Sequence, residues 1–108
     1  MELADYERAA ARTINPTLDE SARLMDAAAG LSEEAGEVLG LVRKHLHVAH
    51  PLDRDRLKSE LGDALWCLTI AARTAGLSLE DVARANLAKL ERRYPEGFSR
   101  LGSQTRQE

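Results

Sequence analysis

Two short stretches hold the residues best suited to chemistry. Glu33-Glu34-Ala35-Gly36-Glu37 supplies three carboxylates, and Glu60-Leu61-Gly62-Asp63 supplies two more. Residues three and four apart share a helix face, so Glu33 and Glu34 lie near Glu37, and Glu60 lies near Asp63. Two such helices packed antiparallel aim four or five acidic oxygens at one point. Bare carboxylates that close repel one another and raise each other's pKa. A hard divalent cation relieves the repulsion, and an all-oxygen donor set suits Mg²⁺ or Mn²⁺. No glutamate has a histidine three residues later, so the Glu-x-x-His pattern of di-iron bundles is absent. No Lys or Arg stands at i+4 from Glu33, Glu37 or Glu60 to neutralise them locally. The chemistry these residues imply is that of a helical divalent-cation site acting on phosphates.

Hydrophobic periodicity predicts the helices that must position them. A first, weakly apolar helix carries Leu3, Tyr6, Ala9, Ala10 and Thr13 and ends at Asn15-Pro16, because the residue before proline disfavours helix. A second starts between Thr17 and Ser21 and runs to about Leu46, with Gly30 and Ser32 marking a place for a kink or restart. Its stripe is Leu24, Ala28, Leu31, Ala35, Val38, Leu39 and Val42. Gly36 and Gly40 within it point to close approach of a backbone or a ligand. A third helix opens with Asp53 as N-cap and stops at Gly76. With Glu60 set at 0° and about 100° per residue, Leu57, Leu61, Ala64 and Leu68 fall at roughly 40 to 100°, the expected middle of the apolar face. Cys67 lies near −20° and Asp63 near −60°, beside Ile70. Glu60 and Asp63 thus sit at or beside the buried face, where an unpaired carboxylate is costly and a cation or hydrogen-bond donors must compensate. A fourth helix is announced by Ser78 with Asp81 three residues later, a capping-box variant, and ends before Pro95. Residues 99–108 read as a tail after a single domain spanning 1–98.

The chain has 108 residues, 44% of them hydrophobic and only 4% aromatic, which indicates a soluble all-α domain of four to five helices rather than a disordered chain. Its apolar content is mostly Ala and Leu. Such a core is thin in a small domain, which favours completion by oligomerisation. The net charge of −3 and the absence of a basic run argue against nucleic-acid binding. No apolar run approaches a membrane span, and the acidic start, Met1-Glu2-Leu3-Ala4-Asp5, lacks the features of a signal peptide, so a cytoplasmic location is expected. The single cysteine, Cys67, excludes an internal disulfide.

Outside the acids, Asn86, Lys89 and Arg93 offer donors to phosphate or sugar oxygens, although cations at a helix end also suit its dipole. Trp66 suits packing as well as stacking on a nucleobase. His45, His47 and His50 fall in a stretch, 45–51, that reads as a polar connector. Lys44 and His50 are the pair within it that could face a phosphate.

The acidic pattern, EEAGE at 33–37 and ELGD at 60–63, resembles the signature of the all-α nucleoside triphosphate pyrophosphohydrolases, the MazG-like superfamily. ELGDALWCL is similar to that family's third helix, NLAKLERRYPEGF at 86–98 to the ending of its single-domain members, and Tyr6 to Thr13 to their first helix. The resemblance implies Mg²⁺ held by Glu34, Glu37, Glu60 and Asp63, with Glu33 orienting or deprotonating the attacking water. It implies contacts from Asn86, Lys89, Arg93 and Tyr94 to the triphosphate or sugar of a nucleoside triphosphate. The implied reaction yields a monophosphate and pyrophosphate, in the service of nucleotide-pool sanitation or adjustment. The implied assembly is a homodimer, or a homotetramer made of paired dimers. Some relatives carry an aromatic residue at the position of Cys67, where this chain cannot stack a base. A phosphoribosyl-ATP pyrophosphohydrolase fits GLSLEDV at 76–82 equally, while the RYPEGF ending and Gly36 favour the MazG-like branch. A non-catalytic helical module that binds nucleotide through its acidic groove is the alternative of a different class.

Overall fold

Capping chemistry sets the helix boundaries in the computed structural model, which describes residues 1–105. The first helix, α1 (Leu3–Ala11), opens where the Glu2 amide donates to Asp5 Oδ2 at 3.1 Å. It stops short of the expected Asn15. The Thr13 hydroxyl donates to Ala10 O at 2.7 Å, a local side-chain bond of the kind that competes with helix continuation. Asp19 caps α2 (Glu20–His47) by accepting from Ala22 N at 2.8 Å. This helix is continuous through Gly30 and Ser32, so no kink or restart occurs there. It also extends past the expected end, placing His45 and His47 in its last turn and leaving 48–53 as the connector.

Asp53 caps α3 (Arg54–Thr74) through Arg56 N at 3.0 Å. Gly76, at φ +78°, closes it: Gly76 N donates to Arg73 O and Leu77 N to Ala72 O. That pair of bonds is a Schellman motif, and its left-handed residue is the reason a glycine stands there. Ser78 Oγ accepts from Asp81 N at 3.0 Å to open α4 (Leu79–Arg93). The expected tail is helical over α5 (Arg100–Thr105), and its last residues, 106–108, lie outside the described residues. The described chain is all-α, with five helices and no strand.

The arrangement is an α2–α3 hairpin with α1 and α4 also packed on α3. α2 packs on α3 alone, whereas α1 and α4 contact each other and α3. The hairpin is tight where side chains are small: a Cβ at Gly30 would lie 2.8 Å from Cys67 Sγ. Close approach therefore occurs at Gly30. At Gly36 and Gly40 an added Cβ would meet nothing within 4 Å, so the expectation of a crowded neighbour at those two glycines does not hold within the chain. Arg23 Nε donates to Thr74 Oγ1 at 3.1 Å at the far end of the hairpin. On the other side, Glu7 joins three helices: its Oε1 accepts from Leu79 N at 2.7 Å and its Oε2 lies 3.7 Å from Arg73. Trp66 Nε1 donates to Thr13 Oγ1 at 2.7 Å, a tie between α3 and the turn after α1.

The buried side of α3 is rotated from the one its leucines suggested. Cys67, Ile70 and Thr74 are buried against α2 and its neighbours, while Leu61 is 51% exposed. The small pair Gly30 and Cys67 meets where the two helices approach closely, and of the α3 leucines Leu57 and Leu68 are half-buried while Leu61 and Leu65 are exposed. Among the described residues the buried hydrophobic set is small: Ala10, Ala27, Cys67, Ile70, Ala72 and Leu79. The accessible surface is 8254 Å², against about 5900 Å² for a compact monomer of this mass. The radius of gyration is 16.8 Å, against about 13 Å for a compact domain of this length. One chain alone leaves much of its apolar surface uncovered.

Candidate metal centre

The hairpin register decides which acids meet. Glu34 on α2 and Glu60 and Asp63 on α3 each present a carboxylate oxygen within 4.8 Å of the other two. Glu34 and Glu60 are half-buried and Asp63 is exposed. The three expected oxygens come from different helices, so the cluster exists only because the hairpin is closed. Glu33 and Glu37 flank it on α2 as exposed residues and lie outside the converging trio.

The cluster is electrostatically unsatisfied. A proton shared with Glu60 raises the Glu34 carboxyl from its ordinary value to about 7, and desolvation and the charges of Asp63, Glu60 and Glu33 add to the effect. Once both groups ionise there is no proton to share. Glu34 Oε2 is shut off from solvent and has no hydrogen-bond partner in the structure. An enclosed anionic oxygen facing two further carboxylates needs either a proton or a cation. Three hard oxygen donors with no imidazole or thiolate among them suit a divalent ion of the Mg²⁺ or Mn²⁺ class, so the residues fit the group that the sequence implied.

Two neighbours were not singled out as site residues from sequence. Tyr6 of α1 is half-buried, and its phenol is pushed up first by burial, then by Asp63 and Cys67. The Cys67 thiol is pushed up by burial, then by Glu34, Asp63, Asp26 and Glu33. Tyr6 is thus the residue of α1 that reaches the centre. Spacing carries no signal for it, because its proximity depends on how α1 docks on α3, across more than fifty residues of sequence.

Two of the donors expected from α4 border a groove of their own. Asn86 and Lys89 line an open groove of about 500 Å³ with Leu77, Asp81, Val82 and Ala85. None of the clustered acids lines that groove, and α2 does not pack on α4. Arg93 and Tyr94 are half-buried at the end of α4, with the Tyr94 ring tilted against Phe98 at a centroid distance of 5.5 Å. α5 packs closely on this end: a Cβ at Gly102 would lie 2.5 Å from Arg93 O. Within one chain, therefore, the structure brings together Glu34, Glu60 and Asp63, while Asn86 and Lys89 line a groove of their own.

The family model of the MazG nucleotide pyrophosphohydrolase domain matches residues 24–98. This interval contains all five acids and all of the hairpin but the first four residues of α2. The Gene 37 protein of Mycobacterium phage L5 is 38% identical over 72 residues, covering 63% of this chain and 63% of its own. The chain thus matches a little under two thirds of that relative's length. No solved structure gives a significant match.

Proposed function

Because the chain belongs to the MazG nucleotide pyrophosphohydrolase family, we propose that it hydrolyses a nucleoside triphosphate between the α and β phosphates, releasing monophosphate and pyrophosphate. The observation that carries this reading is the convergence of Glu34, Glu60 and Asp63 around an enclosed, unpartnered Glu34 oxygen. These three hold Mg²⁺, with Mn²⁺ as the substitute, and Glu37 completes the donor set from the same face of α2. A bound divalent cation neutralises phosphate charge and acidifies the water it holds. Glu33, exposed beside the cluster, orients the attacking water and takes its proton as the new P–O bond forms and the bridging P–O bond breaks. Lys89 and Arg93 take up the charge developing on the pyrophosphate, and Asn86 and Tyr94 bind phosphate or sugar oxygens.

In this reading a second copy supplies Asn86 and Lys89 to the carboxylates, since the groove that these two line within one chain contains none of the clustered acids. The excess surface of roughly 2300 Å² over a compact monomer is of the size that an obligate interface covers. Leu61, Leu65, Leu87 and Leu90 are exposed and await such a partner. We therefore place the activity in a homodimer or a dimer of dimers. No described helix is long and apolar enough to cross a membrane, and the proposed substrate is a metabolite of the cytoplasm.

The test is incubation with Mg²⁺ and a panel of canonical and modified (d)NTPs, with phosphoribosyl-ATP included, resolving pyrophosphate from orthophosphate. Pyrophosphate release that disappears in Asp63→Asn and Glu37→Gln, with helical content unchanged, supports the proposal. Normal turnover in both variants ends it. Ligand-induced thermal stabilisation with no pyrophosphate from any substrate would instead identify a binding module.

A further inference from the structure

The connector between α2 and α3 encloses a second polar feature, apart from the carboxylates. A cavity of about 220 Å³ is lined by Leu41, Lys44, His50, Pro51, Asp53 and Arg56. Its charges are lopsided. Asp53, the one carboxylate, is already engaged as the α3 cap, accepting from Arg56 N at 3.0 Å. Neither Lys44 nor Arg56 forms an ion pair among the described residues. Two cations without an ion pair and an imidazole thus border a space whose one carboxylate, Asp53, is turned to the helix cap through Oδ1.

The connector is also held in shape. Val48 N and His50 N both donate to Lys44 O at 3.1 Å, and Ala49 turns the chain at φ +57°. His45 Nδ1 donates to His50 O at 2.9 Å. The carbonyl oxygens of Lys44 and His50 are therefore consumed inside the turn, while their side chains border the cavity. The start of α3 adds the positive end of its dipole to the same place.

We propose that this cavity binds a phosphate group through Lys44, His50 and Arg56, without help from a divalent cation. A compact anion with several acceptor oxygens gains from donors that come from separate directions, and a guanidinium offers a planar pair of them. A polynucleotide backbone is the wrong partner for a chain of net charge −3 with no basic run. The cavity is distinct from the carboxylate centre. Arg56 precedes Glu60 by one turn, about 6 Å along α3, and Lys44 follows Glu34 by roughly 15 Å along α2. Two sources share the chemistry: free phosphate or pyrophosphate, and the terminal phosphate of a nucleotide anchored at the carboxylates.

The experiment is a titration of ¹⁵N-labelled protein with inorganic phosphate in EDTA, at constant ionic strength. Because no metal is present, its outcome is independent of whether the chain hydrolyses nucleotides. The expected result is saturable shifts of the Lys44, His50 and Arg56 amides, with a Kd on the order of 1 mM. Lys44→Ala combined with Arg56→Ala should weaken binding at least about tenfold. Lys44→Gln, which keeps the length of the side chain, should weaken it as well. Non-saturable shifts, or saturable shifts unchanged in the double variant, overturn the proposal. Pyrophosphate and an α,β-imido nucleoside triphosphate with Mg²⁺ then separate the sources. Cavity shifts that Asp63→Asn abolishes for the nucleotide, while inorganic phosphate still binds, assign the site to the nucleotide's terminal phosphate. Cavity shifts that inorganic phosphate or pyrophosphate produces, but the nucleotide does not, assign it to the free anions.

Discussion

Proton and cation compete for Glu34, and the competition has a calculable size. The Glu34 carboxyl is raised to about 7, first by the proton it shares with Glu60. At pH 6 about one molecule in eleven has Glu34 ionised, and at pH 8 about ten in eleven do. A cation that requires the ionised form should therefore bind about tenfold more weakly at pH 6 than at pH 8. Isothermal titration with Mg²⁺, or Mn²⁺ followed by electron paramagnetic resonance, measures this directly. Glu34→Gln should bind more weakly at pH 8 and should lose this part of the pH dependence. The same shift makes a statement about stability without metal. Because the folded protein holds the proton more tightly than the unfolded chain, Glu34 stabilises the fold fully below pH 4.5, its ordinary value. That contribution is lost as pH rises through about 7. The metal-free wild type should lose Tm over this window relative to Glu34→Gln, and excess Mg²⁺ at pH 8 should restore the loss. Equal metal affinity at pH 6 and pH 8, or parallel Tm curves for wild type and Glu34→Gln, would refute the reasoning.

Other expectations follow from single contacts. Gly30→Ala puts a Cβ 2.8 Å from Cys67 Sγ and should cost about 1–3 kcal/mol in chemical denaturation; Cys67→Ala in the same chain should recover most of it. Glu7→Ala leaves the Leu79 amide without its acceptor and should destabilise by about 1–3 kcal/mol, whereas Arg84→Ala, which breaks only an exposed pair with Glu80, should stay within about 0.5 kcal/mol of wild type. Gly76→Ala forces a side chain into the left-handed region and should cost about 1–2 kcal/mol. Leu61→Glu should shift the assembly toward monomer in light scattering while circular dichroism reports intact helices; an unchanged mass would remove Leu61 from the interface.

Legibility in the sequence followed how local each determinant was. Asp53, Gly76 and Ser78 act on amides within a few residues of themselves, and they mark helix boundaries that the structure reproduces. The pairing of the two acidic stretches was readable because a short connector forces adjacent helices to pack antiparallel, and five acids at helical spacing then have few places to go. The tilt of that pairing was not readable. Close approach of the two helices occurs at Gly30 and Cys67, two residues that carry no pattern, and Leu61 is left exposed. Tyr6 escaped notice because α1 docks through Glu7, Thr13 and its own small face, none of which announces a partner.

The role of α3 joins these observations. It carries Glu60 and Asp63 to Glu34 of α2, and it also receives α1 and α4. Asn86 and Lys89 of α4 line a groove that contains none of the clustered acids. Either the donors are irrelevant to the acids or a second chain brings them. The two cases differ in a mixing experiment. If a second copy supplies Lys89, then Asp63→Asn and Lys89→Ala subunits, each inactive alone, should regain part of the wild-type rate when refolded together, because one of the two mixed sites then has both sets intact. If each chain works alone, the mixture should stay as inactive as its components. Restored turnover would make the uncovered leucines part of the catalytic design as well as of the fold, since the surface that completes the core would also complete the site.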